Sequence, residues 1–237
     1  MAEENQVQEI EDDPIEVRKA KRAAMIEAGR NPYGHAFDYT HHASDIEAGY
    51  SHLEDGDSTE DAVRFAGRII AKRVQGKVSF LTVRDTTGEI QLFCRINNLG
   101  EEAYAELKDL DVGDWIGVWG TVMKTRRGQL SIAVERFELL SKSLRPLPEK
   151  FHGLADKEIR YRQRYVDLIA NPEVRDVFVK RSKIVSAIRT YMETEQGYYE
   201  VETPFLQSIM GGANARPFVT HLNALDRDYY LRIATEL

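Results

Sequence analysis

The 237 residues carry 42% hydrophobic and 30% charged side chains at a formal net charge of −7, enough apolar content for one large core or two smaller ones. No apolar run approaches the length of a membrane span, and the acidic opening "MAEENQVQEIEDDP" lacks the basic-then-apolar order of a signal peptide, so the expected compartment is the cytoplasm. The single cysteine, Cys94, excludes an internal disulfide and a thiolate zinc site, and its place in "IQLFCRI" predicts a small strand residue.

Charge divides the chain into three expected domains. Residues 1–61 carry 5 basic and 16 acidic side chains, residues 62–145 carry 14 and 10, and residues 146–237 carry 13 and 13. In the first, "DPIEVRKAKRAAMIEAG" predicts one amphipathic helix, with Pro14 near its start and Gly29 to stop it. A second short helix is expected near Ala43 to His52. His35, His41, His42 and His52 lack thiolate companions or a helical ligand pair, so no metal site is predicted.

The middle region alternates in five runs, "VRFAGRIIAKRV", "KVSFLTVRD", "EIQLFCRI", "DWIGVWGTVMKT" and "QLSIAVERFELL", separated by turn signals such as "TTG" and "RRG". A helical stretch, "EEAYAELKDLDVGD", falls between the third and fourth. Five strands in this order predict an OB-fold, a small Greek-key barrel whose second and third strands form a single-strand nucleic-acid face. On that face Phe80 offers a stacking ring, Gln91 an amide for a base edge, and Arg73, expected on the preceding loop, a cation for phosphate or base. Taken singly, Phe80 reads first as a core residue and Arg73 as a solvated loop charge. Their setting together on one small barrel favours binding.

After the proline-interrupted linker "LRPLPEKF", the third region holds the longest predicted helix, with Asn171 as N-cap, Pro172 at its first turn, and an apolar stripe from Val174 to Met192 that ends before Gly197. "YYEVETP" then alternates like a strand up to Pro204, and the final "YYLRIATEL" reads as a buried strand.

These segments together resemble the front part of class II lysyl-tRNA synthetases of the bacterial type, over nearly the whole chain. "FHGLADKEIRYRQRYVDLI" resembles the opening of that family's catalytic domain. "GYYEVETPFLQ" resembles motif 1, with Pro204 as its signature proline, and "GGANARPFVTHLNALDRDYYLRIATEL" the lysine-pocket segment. Thr235 stands where the family usually has proline. The "GGANARPF" form argues against the related aspartyl and asparaginyl enzymes.

The resemblance implies an α+β multidomain chain: a five-stranded OB-fold β-barrel followed by the start of a class II antiparallel-sheet catalytic domain. It implies that Arg73, Phe80 and Gln91 meet the uridine-rich lysine anticodon, that Gly212, Ala213 and Glu236 belong to the lysine pocket, and that Val185, Ile188 and Pro204 lie at a motif 1 homodimer interface. The implied partners are lysine transfer RNA, through its anticodon stem-loop, and lysine. ATP and Mg²⁺ are implied for the whole enzyme but not for this chain, because motifs 2 and 3, with their phosphate-binding arginines, lie beyond its matched segments. No catalytic residue and no metal ligand are assigned. The expectation is therefore a piece of a ligase that keeps anticodon recognition without catalysis. The alternative expectation is a free-standing RNA-binding barrel.

Overall fold

A computed structural model describes residues 13–34, 36–148 and 154–235, so His35, Glu236 and part of the linker expected before the third region lie outside the described residues. The chain divides into two compact units, Met1–Asp156 and Lys157–Leu237.

In the first unit, helix α1 (Pro14–Glu27) starts where the Asp13 carboxylate accepts a hydrogen bond from the Ile15 amide at 2.8 Å, and it is followed by Gly29 at φ +70°. Its polar face is tied to the barrel. Arg18, 9% exposed, donates to the Arg145 carbonyl at 3.2 Å, and Lys21 Nζ reaches Asp111 Oδ1 at 3.0 Å.

The five strands are β1 (Ser58–Gln75), β2 (Val78–Arg84), β3 (Glu89–Arg95), β4 (Trp115–Lys124) and β5 (Leu130–Ser141), and they close into a barrel in the order β1-β2-β3-β5-β4. Pairing is antiparallel except between β3 and β5, which run parallel from Gln91↔Ser131 to Cys94↔Val134. Closure depends on the length of β1. Its first part pairs with β4 as far as Arg68↔Trp115, its second pairs with β2 from Arg68↔Arg84 to Gln75↔Val78, and its register shifts between Ile69 and Ala71. Gly67 sits at this bend, where an added Cβ would lie 2.7 Å from both the Arg84 carbonyl oxygen and Val83 Cγ1. A glycine there lets the two backbones approach. Arg73, expected on a loop, is instead part of β1, because the ladder to β2 continues to Gln75.

Alternation decides which side chains enter the core. Leu81 and Val83 of β2, and Ile90, Leu92 and Cys94 of β3, are buried with Phe65, Ile69, Ile116, Val118, Ile132 and Val134. Each such side chain contributes about 1.5–3 kcal/mol when removed from water. Burial also pushes the Cys94 thiol up to about 12, which keeps it protonated. Helix α2 (Ala43–Tyr50) adds Ala43 and Ile46 to this core. Between β3 and β4, the short α3 (Ile96–Leu99) precedes α4 (Glu101–Asp109), which adds Leu107; Tyr104 Oη lies 2.8 Å from Ser79 Oγ.

The second unit contains α5 (Lys157–Arg162), α6 (Arg164–Ala170) and α7 (Pro172–Thr190), a π turn at Tyr191–Glu195, and a three-stranded antiparallel sheet ordered β6 (Leu206–Gln207), β8 (Arg227–Leu231), β7 (Val219–Leu222). Asp167 joins the three helices. Its fully buried carboxylate accepts from Arg160 Nε at 2.8 Å, Asn171 Nδ2 at 2.7 Å and Arg164 Nη1. Burial pushes this carboxyl up, but the bonds from Asn171 and Arg160 and the charges of Arg160 and Arg164 outweigh it, holding it below the ordinary carboxylate range.

Three expectations are corrected here. Asn171 occupies the position before α7 but makes no side-chain cap; its Nδ2 donates to Asp167 Oδ1. Residues 198–204 form no strand, since a strand needs a ladder partner and none pairs with them among the described residues. The last strand is half-buried rather than buried, and ends at Leu231: β8 is flanked by β6 and β7 but only partly covered on its faces.

Candidate nucleic-acid interface

The strand register that buries Leu81 and Leu92 turns Phe80, Gln91 and Phe93 outward, because successive side chains on a strand face opposite ways. Across the sheet, Arg73 of β1 faces Phe80 of β2, Phe80 faces Phe93 of β3, and Phe93 faces Ala133 of β5. The adjoining row places Ala71, Thr82, Gln91 and Ser131 side by side. The three residues expected to bind RNA therefore lie on neighbouring rows of one outer face.

The geometry within that face is specific. The Phe80 and Phe93 ring centroids are 5.3 Å apart with a 37° tilt, the Arg73 guanidinium stands 4.9 Å over Phe80, and the Arg95 guanidinium stands 4.4 Å over Phe93. Both rings are half-buried and both arginines exposed, with a guanidinium over each ring. Ser131 Oγ donates to Gln91 Oε1 at 3.0 Å and also lies 3.1 Å from the Gln129 carbonyl oxygen, so its one hydrogen is divided between two acceptors. When it goes to Gln91, the amide NH₂ of that side chain is left to face solvent. Such a surface can stack a base, read its edge with an amide, and meet a phosphate with a guanidinium.

The residues expected to hold lysine or a second subunit fall in the other unit. Gly212 and Ala213 lie in the loop between β6 and β7, both exposed, with Gly212 at φ +97°, a conformation that favours glycine. Val185 and Ile188 lie on α7 at 37% and 57% exposure, and Pro204 is exposed in the loop before β6. That loop is held to the chain end: Arg232 Nη1 donates to Thr203 Oγ1 at 2.8 Å, and Thr203 Oγ1 donates to the Thr235 carbonyl at 3.0 Å. Among the described residues, no three His, Cys, Asp or Glu side chains cluster to hold a metal ion.

Two family models match the chain, one described as OB-fold nucleic acid binding domain over residues 63–140, the other as tRNA synthetases class II (D, K and N) over residues 156–237. The "Lysine--tRNA ligase" of Clostridium perfringens (strain ATCC 13124) is 51% identical over 222 residues, 93% of this chain. The chain belongs to the class II lysyl-tRNA synthetase family. The protein of that name from Pelotomaculum thermopropionicum is 52% identical over 94% of the chain, and the "Lysine--tRNA ligase, chloroplastic/mitochondrial" of Arabidopsis thaliana 50% identical over 93%. The chain spans 43% of the length of the two bacterial relatives and 37% of the plant one.

Phe93, Arg95 and Ser131 share this face with the three residues singled out from the sequence. The first two carried a signal, since "QLFCR" puts Gln91, Phe93 and Arg95 two residues apart and hence on one face. Ser131 carried none, because its approach to Gln91 depends on the parallel pairing of β3 with β5, which lie 40 residues apart in sequence at this contact.

Proposed function

We propose that the chain supplies the anticodon-reading part, and a portion of the lysine site, of a cytoplasmic lysine–tRNA ligase. Phe80 stacks on the central uridine of the lysine anticodon, Gln91 hydrogen-bonds the edge of a base, and Arg73 neutralises phosphate or meets a base. The observation that carries this reading is the outward Arg73–Phe80 pair beside Gln91, on a barrel that matches a nucleic-acid-binding family. Stacking gives affinity with little base preference, and the amide adds preference because a wrong edge leaves it unpaired.

In the whole enzyme, lysine and ATP form lysyl-adenylate with release of pyrophosphate, and the lysyl group then passes to the terminal ribose of lysine transfer RNA. The protein's work in such a step is placement and stabilisation of phosphate charge, with Mg²⁺ as a counter-charge. No residue of this chain is assigned to that ion. The backbone at Gly212 and Ala213 lies against bound lysine, where a bulkier residue would obstruct it, and Glu236 accepts hydrogen bonds from a substrate ammonium group. The exposed stripe of α7, with Val185 and Ile188, and Pro204 pair two copies in a homodimer. No described helix is long and apolar enough to cross a membrane.

Direct binding of lysine anticodon stem-loops with and without the central uridine, at two salt concentrations, tests the reading. The expected result is a clear preference for the loop with uridine that persists at the higher salt. Equal affinity for the two loops at both concentrations would overturn it.

A further inference from the structure

We infer that the pocket around Arg68 and Trp115 binds a small organic oxyanion, a carboxylate or phosphate head carried on a short apolar body. One ladder row builds it. Arg84 of β2, Arg68 of β1, Trp115 of β4 and Ser141 of β5 stand side by side, on a row apart from those of Phe80 and Gln91. The last three, with Leu140 and Ser143, line a cavity of about 450 Å³, within the range of about 300–1,000 Å³ usual for small-ligand sites. None of these residues enters the anticodon or lysine reading, so the pocket stands or falls separately from both.

Arg68 is a cation without a counter-charge. Its half-buried guanidinium lies 5.2 Å over the Trp115 ring, and its Nη1 donates to the Gly113 carbonyl at 3.0 Å, the one hydrogen bond that Arg68 makes to the described residues. Lys142, Arg84 and Lys21 of the same unit, by contrast, are each held by an acid: Lys142 by Asp111 and Asp114, Arg84 by Glu89, Lys21 by Asp111. Burial pulls Arg68 below the ordinary arginine value, and no acidic neighbour offsets that effect. A charge taken partly out of water without a partner is costly, and an oxyanion in the pocket relieves that cost. The remaining N–H groups of the planar fork match two oxygens of a carboxylate or phosphate. Ser141 Oγ, which bonds to none of the described residues, adds a donor on the same row. A bare ion leaves most of the cavity unfilled, whereas Trp115 and Leu140 give an apolar body a wall to lie against.

The chain has two tryptophans, Trp115 and Trp119, so Trp119→Phe leaves an indole in the pocket as the only such reporter. In that background, Trp115 emission is followed during titration with inorganic phosphate, acetate, phenyl phosphate and phenylacetate, at an ionic strength held constant with chloride. The expected result is a saturable change with at least one phenyl probe, at concentrations about tenfold below those its bare head group needs. The tighter of the two phenyl probes identifies the head. Arg68→Gln should weaken that probe by about tenfold or more. Ser141→Asp, which leaves Arg68 and its bond to Gly113 in place but sets a negative charge on the wall, should weaken it as well. No saturable change with any of the four probes, or a change that both variants leave intact, overturns the pocket. So does an Arg68-dependent change produced by the lysine anticodon stem-loop alone, which assigns the arginine to RNA. A melting temperature for each variant close to that of the background separates lost binding from lost fold, and if Arg68→Gln unfolds, Ser141→Asp decides.

Discussion

Phe80 occupies an unusual position for a large apolar residue, because its strand buries the residues on either side of it while its own ring stays at the surface beside Arg73. A ring held this way loses little freedom on binding, so its removal should act on affinity more than on stability. Phe80→Ala should lower affinity for the lysine anticodon loop by about 1–3 kcal/mol, read by direct titration. A large fall in melting temperature would instead return the ring to the core. Ser131 makes a second prediction at this scale. With its hydroxyl gone, the Gln91 amide is free to turn over, so Ser131→Ala should narrow the preference between loops with and without uridine while leaving overall affinity for RNA nearly intact. A loss of affinity that is equal for both loops would deny Ser131 this orienting part.

Among the elements, the segment joining α4 to β4 meets Lys142 in a largely buried cluster of charge. Lys142 at the end of the barrel, 5% exposed, reaches Asp114 Oδ2 at 2.8 Å and Asp111 Oδ2 at 2.5 Å, and Lys21 of α1 reaches Asp111 Oδ1 at 3.0 Å. Burial pushes the Asp111 carboxyl up, but bonds from Lys142 and Lys21 and their charges prevail and hold it below its ordinary value. Asp85, at the turn between β2 and β3, is also pushed up by burial and brought below its ordinary value by bonds from the Thr87, Ala43 and Gly88 amides and the Thr87 hydroxyl. A carboxyl with a lower value folded than unfolded binds fewer protons when folded. Its contribution is therefore complete above the unfolded value of about 3.9 and is lost as pH falls through the folded value. The first unit should hold its melting temperature from pH 7 to about 5 and lose it steeply below about 4. Asp111→Asn should start lower and show a shallower acid limb. An unchanged acid limb in that variant would remove Asp111 from the account.

For the molecule as a whole, the two units differ in completeness. The barrel closes on itself and buries its own core, whereas α7 leaves Val177, Phe178, Ile184 and Ile188 exposed, the π turn after it leaves Tyr191 exposed among the described residues, and β6 and β7 are open edges of a three-stranded sheet. So much apolar surface on one unit calls for a partner. On the dimer reading, the chain should sediment as a concentration-dependent dimer, and a charge at Ile188, as in Ile188→Glu, should shift it toward monomer because a symmetric interface carries the change twice. A clean monomer at every accessible concentration would count against that pairing. The same division bears on chemistry. The chain spans 43% of the length of its bacterial relatives, and the family resemblance implies that the phosphate-binding arginines of motifs 2 and 3 lie beyond its matched segments, so these 237 residues alone should not exchange pyrophosphate into ATP in the presence of lysine. Lysine-dependent exchange by the purified chain, free of intact ligase, would refute this.

Much of the barrel was legible from local pattern, because alternation with period two and the turn signals "TTG" and "RRG" act over a few residues and do not depend on distant partners. The family was legible too, since "GGANARPF" and "RYRQRYVDL" are long specific strings. What tertiary structure alone decided depended on contacts between distant segments. Arg73 became a strand residue because β2 pairs with it to the end, Ser131 came to Gln91 through a parallel ladder, Asn171 gave its amide to Asp167, and residues 198–204 stayed outside any sheet for want of a partner. The physical reason is common to all four: periodicity says which way a side chain points, but a hydrogen bond is satisfied only by what the rest of the chain brings within reach.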